Sequence, residues 1–163
     1  MKGMPMKRVV MLATIHQHQV RGNPGNAEFE KRVGYLKSKL GGKIILEEWS
    51  EKQGKSAAEE FAPSLGLQWF NVGTPDETQF WTYAGPINFP GHDGTLSDWD
   101  APGMSGYGPF INQEARERQM AKNIQAQMQS YDGGIFILGL AHLHSMYGKL
   151  RDLGFDVIGL SWF

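Results

Sequence analysis

Four of the five histidines in this 163-residue chain form two His-x-His pairs, His16/His18 and His142/His144, and Glu47 and Glu48 make an adjacent acidic pair. Imidazole titrates near neutrality and is a good nitrogen ligand for borderline metals. Together with carboxylates it can activate water as a general base, or hold a divalent cation that does so. The chain contains no cysteine. Disulfides, thiolate zinc sites, iron–sulfur clusters and a cysteine nucleophile are thereby removed together. Any metal would be held by nitrogen and oxygen, and the expected nucleophile is water.

The elements that must position these groups are legible as short apolar runs. Arg8 to Ile15 is β-branched and aliphatic without alternation, as a strand buried on both faces should be, and it leads into His16. Lys43-Ile44-Ile45-Leu46 is a second such run, ending in Glu47-Glu48, and Leu67 to Val72 is a third. Ile135 to Leu138 is a fourth, running into His142, and Phe155 to Leu160 is a fifth. Between them lie helical patterns. Asn26 to Leu40 places Phe29, Val33, Leu36 and Leu40 at helical spacing and stops at Gly41-Gly42; Ser56 to Ser64 is a short helix. Asn112, as N-cap, opens a helix to about Tyr131 that Gly133-Gly134 close, and His142 to Leu153 forms the last, stopped by Gly154. Alternating strands and helices predict an α/β fold: one domain over 1–163, a mainly parallel five-stranded sheet with helices on both faces, and right-handed crossovers. In such sheets ligands bind beyond the carboxyl ends of the strands, where both histidine pairs and Glu47/Glu48 fall.

The segment 73–110 breaks the pattern. Seven glycines, five prolines and the aromatics Trp81, Tyr83, Phe89, Trp99 and Tyr107 fit an ordered insertion or lid better than simple disorder, with His92 as a loop residue. Sixteen basic against seventeen acidic residues, with no basic block, argue against a nucleic-acid partner. No apolar stretch approaches the length of a membrane span or a signal sequence, so a cytoplasmic protein without membrane association is expected. The oligomeric state is not readable.

Other motifs are weighed on their physics. Gln53-Gly54-Lys55-Ser56 ends like a phosphate-binding loop, but Trp49 stands where the first glycine is required, and the backbone cradle is missing. Gly22-Asn23-Pro24-Gly25, beside Arg21 and ahead of a helix, fits an anion site or a plain turn. A Gly-x-Ser-x-Gly elbow is absent. Arg116, Met120, Asn123 and Ile124 share one helical face, so Arg116 sits on an apolar stripe, where it either snorkels or serves a wet cleft.

The order of these elements resembles the superfamily that includes erythromycin esterases, ChaN-like proteins and TraB/TIKI proteins. Ala13-Thr14-Ile15-His16 is similar to its first Gly-x-x-His element, with Ala13 in place of glycine, and Ile45-Leu46-Glu47 to its apolar-Glu strand end. Arg116-Glu117-Arg118-Gln119-Met120-Ala121-Lys122-Asn123 resembles the esterase motif Arg-[Asp/Glu]-x-x-Met-Ala-x-Asn, and Gly139-Leu140-Ala141-His142 the second Gly-x-x-His. The resemblance implies a functional set of His16, Glu47, Arg116 and His142. The expectation is a small hydrolase of a small-molecule or peptide substrate. His16, Glu47 and His142 hold or activate water, directly or through a divalent metal, and Arg116 orients a carboxylate or stabilises an oxyanion. His18, Glu48, Asn123, His144, Trp81 and Tyr107 are the expected substrate contacts. The alternatives are a non-catalytic haem- or metal-binding protein, as ChaN-like relatives suggest, with Met104 and Tyr107 among the haem contacts, or an interaction module with a vestigial site.

Overall fold

The computed structural model describes residues 6–73, 81–82 and 110–162, with backbone alone considered at 51, 81–82 and 110–111. In chain order the elements are β1 (Arg8–Thr14), α1 (His16–Gln19), α2 (Asn26–Leu40), β2 (Ile44–Glu47), α3 (Ala57–Phe61), β3 (Gln68–Asn71), β4 (Trp81–Thr82), β5 (Phe110–Ile111), α4 (Gln113–Gln127), β6 (Gly133–Gly139), α5 (Leu143–Asp152) and β7 (Asp156–Trp162). Two compact units result, Met1–Pro75 with Glu117–Phe163, and Asp76–Arg116. In the second unit β4 and β5 pair antiparallel, Trp81 opposite Ile111 and Thr82 opposite Phe110. The remainder of the expected insertion lies outside the described residues.

The first unit is built on a five-stranded sheet of order β3-β2-β6-β1-β7, parallel throughout. The α/β class read from the sequence holds, and "mainly parallel" becomes wholly parallel. β1, β2 and β6 each send alternate residues to two separate cores. Val9, Met11 and Ala13 join Ile44, Leu46, Phe136 and Leu138 against Met120, Ile124 and Met128 of the α4 region and Met146 and Leu150 of α5. Val10 and Leu12 join Ile45, Ile135 and Ile137 against Phe29, Val33 and Leu36 of α2 and Ala57, Ala58 and Phe61 of α3. A strand apolar at every position is what two covered faces require.

Local chemistry sets the helix ends. Gly41 terminates α2 in the left-handed region at φ 78°, its N–H reaching Lys37 O at 3.2 Å. Ser56 caps α3, its hydroxyl accepting from Glu59 N–H at 3.0 Å, and Asn112 Oδ1 accepts from Ala115 N–H at 3.1 Å. The helix expected over 56–64 is shorter. Pro63 has no N–H to donate, and the chain continues from Phe61 as a 3-10 turn, Ala62–Leu65. Gly133 and Gly134 do not close a helix as expected. They begin β6, after a 3-10 turn over Met128–Ser130 has ended α4. A Cβ on Gly133 would lie 2.5 Å from Gly41 O, so the strand can enter beside the α2 terminus only without a side chain.

Two glycine replacements separate packing from backbone entropy. Gly133→Ala is expected to lower the unfolding free energy by about 1–3 kcal/mol through that backbone clash. Gly148→Ala, within α5 and with nothing inside 4 Å of its Cβ position, is expected to raise it by about 0.5–1 kcal/mol. Urea denaturation of both variants measures the contrast.

Candidate functional site

In the sheet order, β6 lies between β2 and β1. The strand ends preceding Glu48, His142 and His16 are therefore neighbours, with Thr14 in register with Gly139 and Glu47 with Ile137. The pleat then sorts the side chains that arrive there. Glu47 shares the face of Ile45, toward α2 and α3, while Glu48 follows Leu46 to the face covered by α4 and α5.

On the α4/α5 face, His142 is held between two carboxylates. Its Nδ1 lies 2.7 Å from Glu117 Oε2, and its Nε2 lies 3.3 Å from Glu48 Oε2. Glu48 is fixed in turn, since its Oε1 accepts from Gly139 N–H at 3.1 Å. Glu117 has further support from α5: Ser145 Oγ donates to its Oε1 at 2.8 Å, and Lys149 Nζ stands 3.7 Å from the same oxygen while donating to Ser145 Oγ at 2.8 Å. His142 ends a 3-10 turn, Leu140–His142, and caps α5, so Ser145 and Lys149 follow it at i+3 and i+7 on one helical face. The side chains of His142, Glu48 and Glu117 are 13%, 11% and 7% exposed. That is dry enough to strengthen charge-assisted hydrogen bonds.

Donor arithmetic defines what this cluster can do. A neutral imidazole carries one N–H, and an ionised carboxylate only accepts. With Nδ1–H given to Glu117, the contact between Nε2 and Glu48 is a hydrogen bond only when one proton is shared across it. The inner contact sets the orientation of the ring, and the outer one leaves Nε2 facing a second carboxylate.

Glu47, expected in the functional set, is instead enclosed on the opposite face and fully buried. Its Oε1 accepts from Ser56 Oγ at 2.5 Å and Trp69 Nε1 at 2.8 Å, and its Oε2 from Gln19 Nε2 at 2.9 Å. Burial pushes its pKa up to about 7, against the opposing pull of the hydrogen bonds from Ser56, Gln19 and Trp69; the charge of Glu59 raises it slightly further.

The other expected residues are placed as follows. His16 is exposed and stacks on Trp49, centroids 5.5 Å apart. His18 lies on the α2 side, bonded through Nδ1 to Thr14 Oγ1 at 2.6 Å and stacked on Trp162 at 3.8 Å; burial first, then the Arg32 charge, holds its pKa down. His144 is exposed and lines a groove with Leu143 and Tyr147. Asn123 is a tether, its Nδ2 donating to Val72 O at 3.0 Å. Arg116 is half-buried and directly precedes Glu117 on α4. The side chains of Trp81, Met104 and Tyr107 lie outside the described residues.

The expected metal set of His16, Glu47 and His142 is not brought together. Glu47 spends both oxygens on neutral donors, and both nitrogens of His142 face carboxylates. Among the described residues, no three His, Asp or Glu side chains are placed to hold one ion. Sequence reasoning missed Glu117, Ser145 and Lys149. The signal for Glu117 was present, because it precedes Met120, Ala121 and Ile124 at i+3, i+4 and i+7, an acid on an apolar stripe. Family models, curated proteins and solved structures give no match to this chain.

The buried Glu47 makes stability depend on pH. Its folded pKa of about 7 lies above the unfolded value of 4.5, so the folded state binds more protons between the two. Stability is fully present below pH 4.5 and is lost as pH rises through 7, by roughly 3 kcal/mol at most. Urea midpoints from pH 4.5 to 8 are expected to fall along this curve, and Glu47→Gln is expected to flatten it.

Proposed function

We propose that the chain is a hydrolase in which His142 and Glu48 exchange a proton with water and substrate, while Glu117 holds the ring. The observation that carries this reading is the placement of His142, through both ring nitrogens, between two carboxylates at the carboxyl edge of a parallel sheet. The 3.3 Å contact from Nε2 to Glu48 is the longer of the two. A water that inserts there when neither Nε2 nor Glu48 carries a proton meets two groups able to accept one of its own. Its oxygen then bonds to an acyl or phosphoryl centre as the proton passes to Nε2, and Nε2–H returns that proton to the leaving group as the bond between the leaving group and the centre breaks. Glu117 keeps Nδ1 protonated and offsets the charge that develops on the ring, while Ser145 and Lys149 prevent the carboxylate from turning away.

The test is turnover of a panel of esters, peptides and phosphoesters. His142→Ala is expected to lower kcat by about 10²–10⁴-fold, the usual contribution of a positioned general base. Glu117→Gln is expected to lower kcat with little change in KM, because it disturbs the ring rather than substrate binding. Failure to turn over any of the panel, or an undiminished His142→Ala variant, would refute the reading.

A further inference from the structure

β7 is an edge of the sheet, and among the described residues no strand lies outside it. One hydrogen bond fixes which of its backbone groups are spent inward: Asp156 N–H donates to Lys7 O at 2.9 Å, on the β1 side. Within a strand the N–H and C=O of a residue point the same way and successive residues alternate. Asp156, Ile158, Leu160 and Trp162 therefore bond toward β1, and Val157, Gly159 and Ser161 present their backbone groups outward. Gly159, Leu160 and Ser161 are exposed, Leu160 to 38%. Edges that stay unpaired usually carry lysine, proline or a bulge; Val157 to Trp162 contains no charge and no proline. The other edge is blunted. β3 spans only four residues, Gln68–Asn71, against seven in β7. Among the described residues a groove flanks β7 on each face: one of about 470 Å³ over Leu12, Leu36 and Leu160, and one of about 590 Å³ over Leu143, Tyr147 and Val157.

We propose that β7 joins two copies of this chain edge to edge, in antiparallel register about a twofold axis through Gly159. In that register Gly159 faces Gly159 of the second copy and Val157 faces its Ser161, so every outward N–H on these residues meets an outward carbonyl. Between them Ile158 and Leu160 oppose each other on the same side of the sheet as close, non-hydrogen-bonded pairs, whose side chains pack best. A twofold interface needs a surface complementary to itself, and antiparallel pairing centred on Gly159 gives the outward backbone of Val157, Gly159 and Ser161 that property. A second copy therefore satisfies the edge without any other partner, and the two sheets become one.

Light scattering on the native chain at tens of micromolar is expected to give twice 18.2 kDa. Leu160→Lys, at an exposed position, is expected to weaken the dimer at least about tenfold while leaving the circular dichroism unchanged. Because the chain has no cysteine, Gly159→Cys introduces a single thiol, and its Cβ meets only Leu143 and Tyr147 at ordinary contact distances of 3.5 and 3.7 Å. A short bismaleimide is expected to link that variant into dimers and to leave Gln68→Cys, on β3, unlinked. A monomeric native chain overturns the proposal, as does a dimer that Leu160→Lys leaves intact or that Gly159→Cys fails to link.

Discussion

At the end of β2 the pleat of the sheet sends two consecutive glutamates to opposite faces, and the candidate site follows from that separation. Glu47 enters a closed pocket of neutral donors, where burial favours its protonated form. Glu48, one residue on, reaches a half-open edge with a histidine and a backbone N–H as partners. The same side chain is enclosed by neutral donors on one side and faces the His142 ring on the other. A register slip of one residue would exchange the two environments and carry Glu48 away from His142.

The site inherits its rigidity from the core beneath it. Glu117 and His142 lie on different helices, and what fixes their 2.7 Å contact is the seating of α4 and α5 on one face of the sheet. Met120, Ile124, Met146 and Leu150 are each fully buried there, and burying a side chain of this size is worth roughly 1.5–3 kcal/mol. Four such side chains together exceed the roughly 1.5–3 kcal/mol net of one hydrogen bond to a charged group. Packing therefore sets the helix positions, and the hydrogen bonds of Ser145, Lys149 and Gly139 refine the side chains upon them.

Positions along the chain were legible in the sequence, and facings were not. The apolar runs located the five sheet strands within a residue or two, and Phe29, Val33, Leu36 and Gly41 defined α2 from spacing and a stop. A strand covered on both faces is apolar at every position, however, so it carries no alternation to show which way its last residue points. Glu47 and Glu48 were equivalent for that reason until the register was known. Helical spacing does encode facing, and it placed Glu117 on the stripe of Met120 and Ile124; attention to the arginine beside it concealed the signal. Gly133 and Gly134 read as a helix stop because glycine commonly ends helices. Their true role depends on the approach of Gly41 O, a contact between segments far apart in sequence.

Gln19 connects the two faces and gives the buried carboxylate a purpose. Its amide nitrogen has two protons, one donated to Glu47 Oε2 at 2.9 Å and the other to Glu48 O at 3.1 Å. An apolar residue at 47 would avoid the desolvation penalty, but it would leave the Gln19 amide without the acceptor that orients it. The Glu48 carbonyl would then lose its fixed donor, and with it one restraint on the backbone that aims the Glu48 side chain at His142. A buried polar group is tolerable when every partner is satisfied, and around Glu47 the partners are Ser56, Trp69 and Gln19. The enclosed cluster therefore acts through geometry: it holds the strand end from one side and so fixes the backbone from which Glu48 reaches His142 on the other.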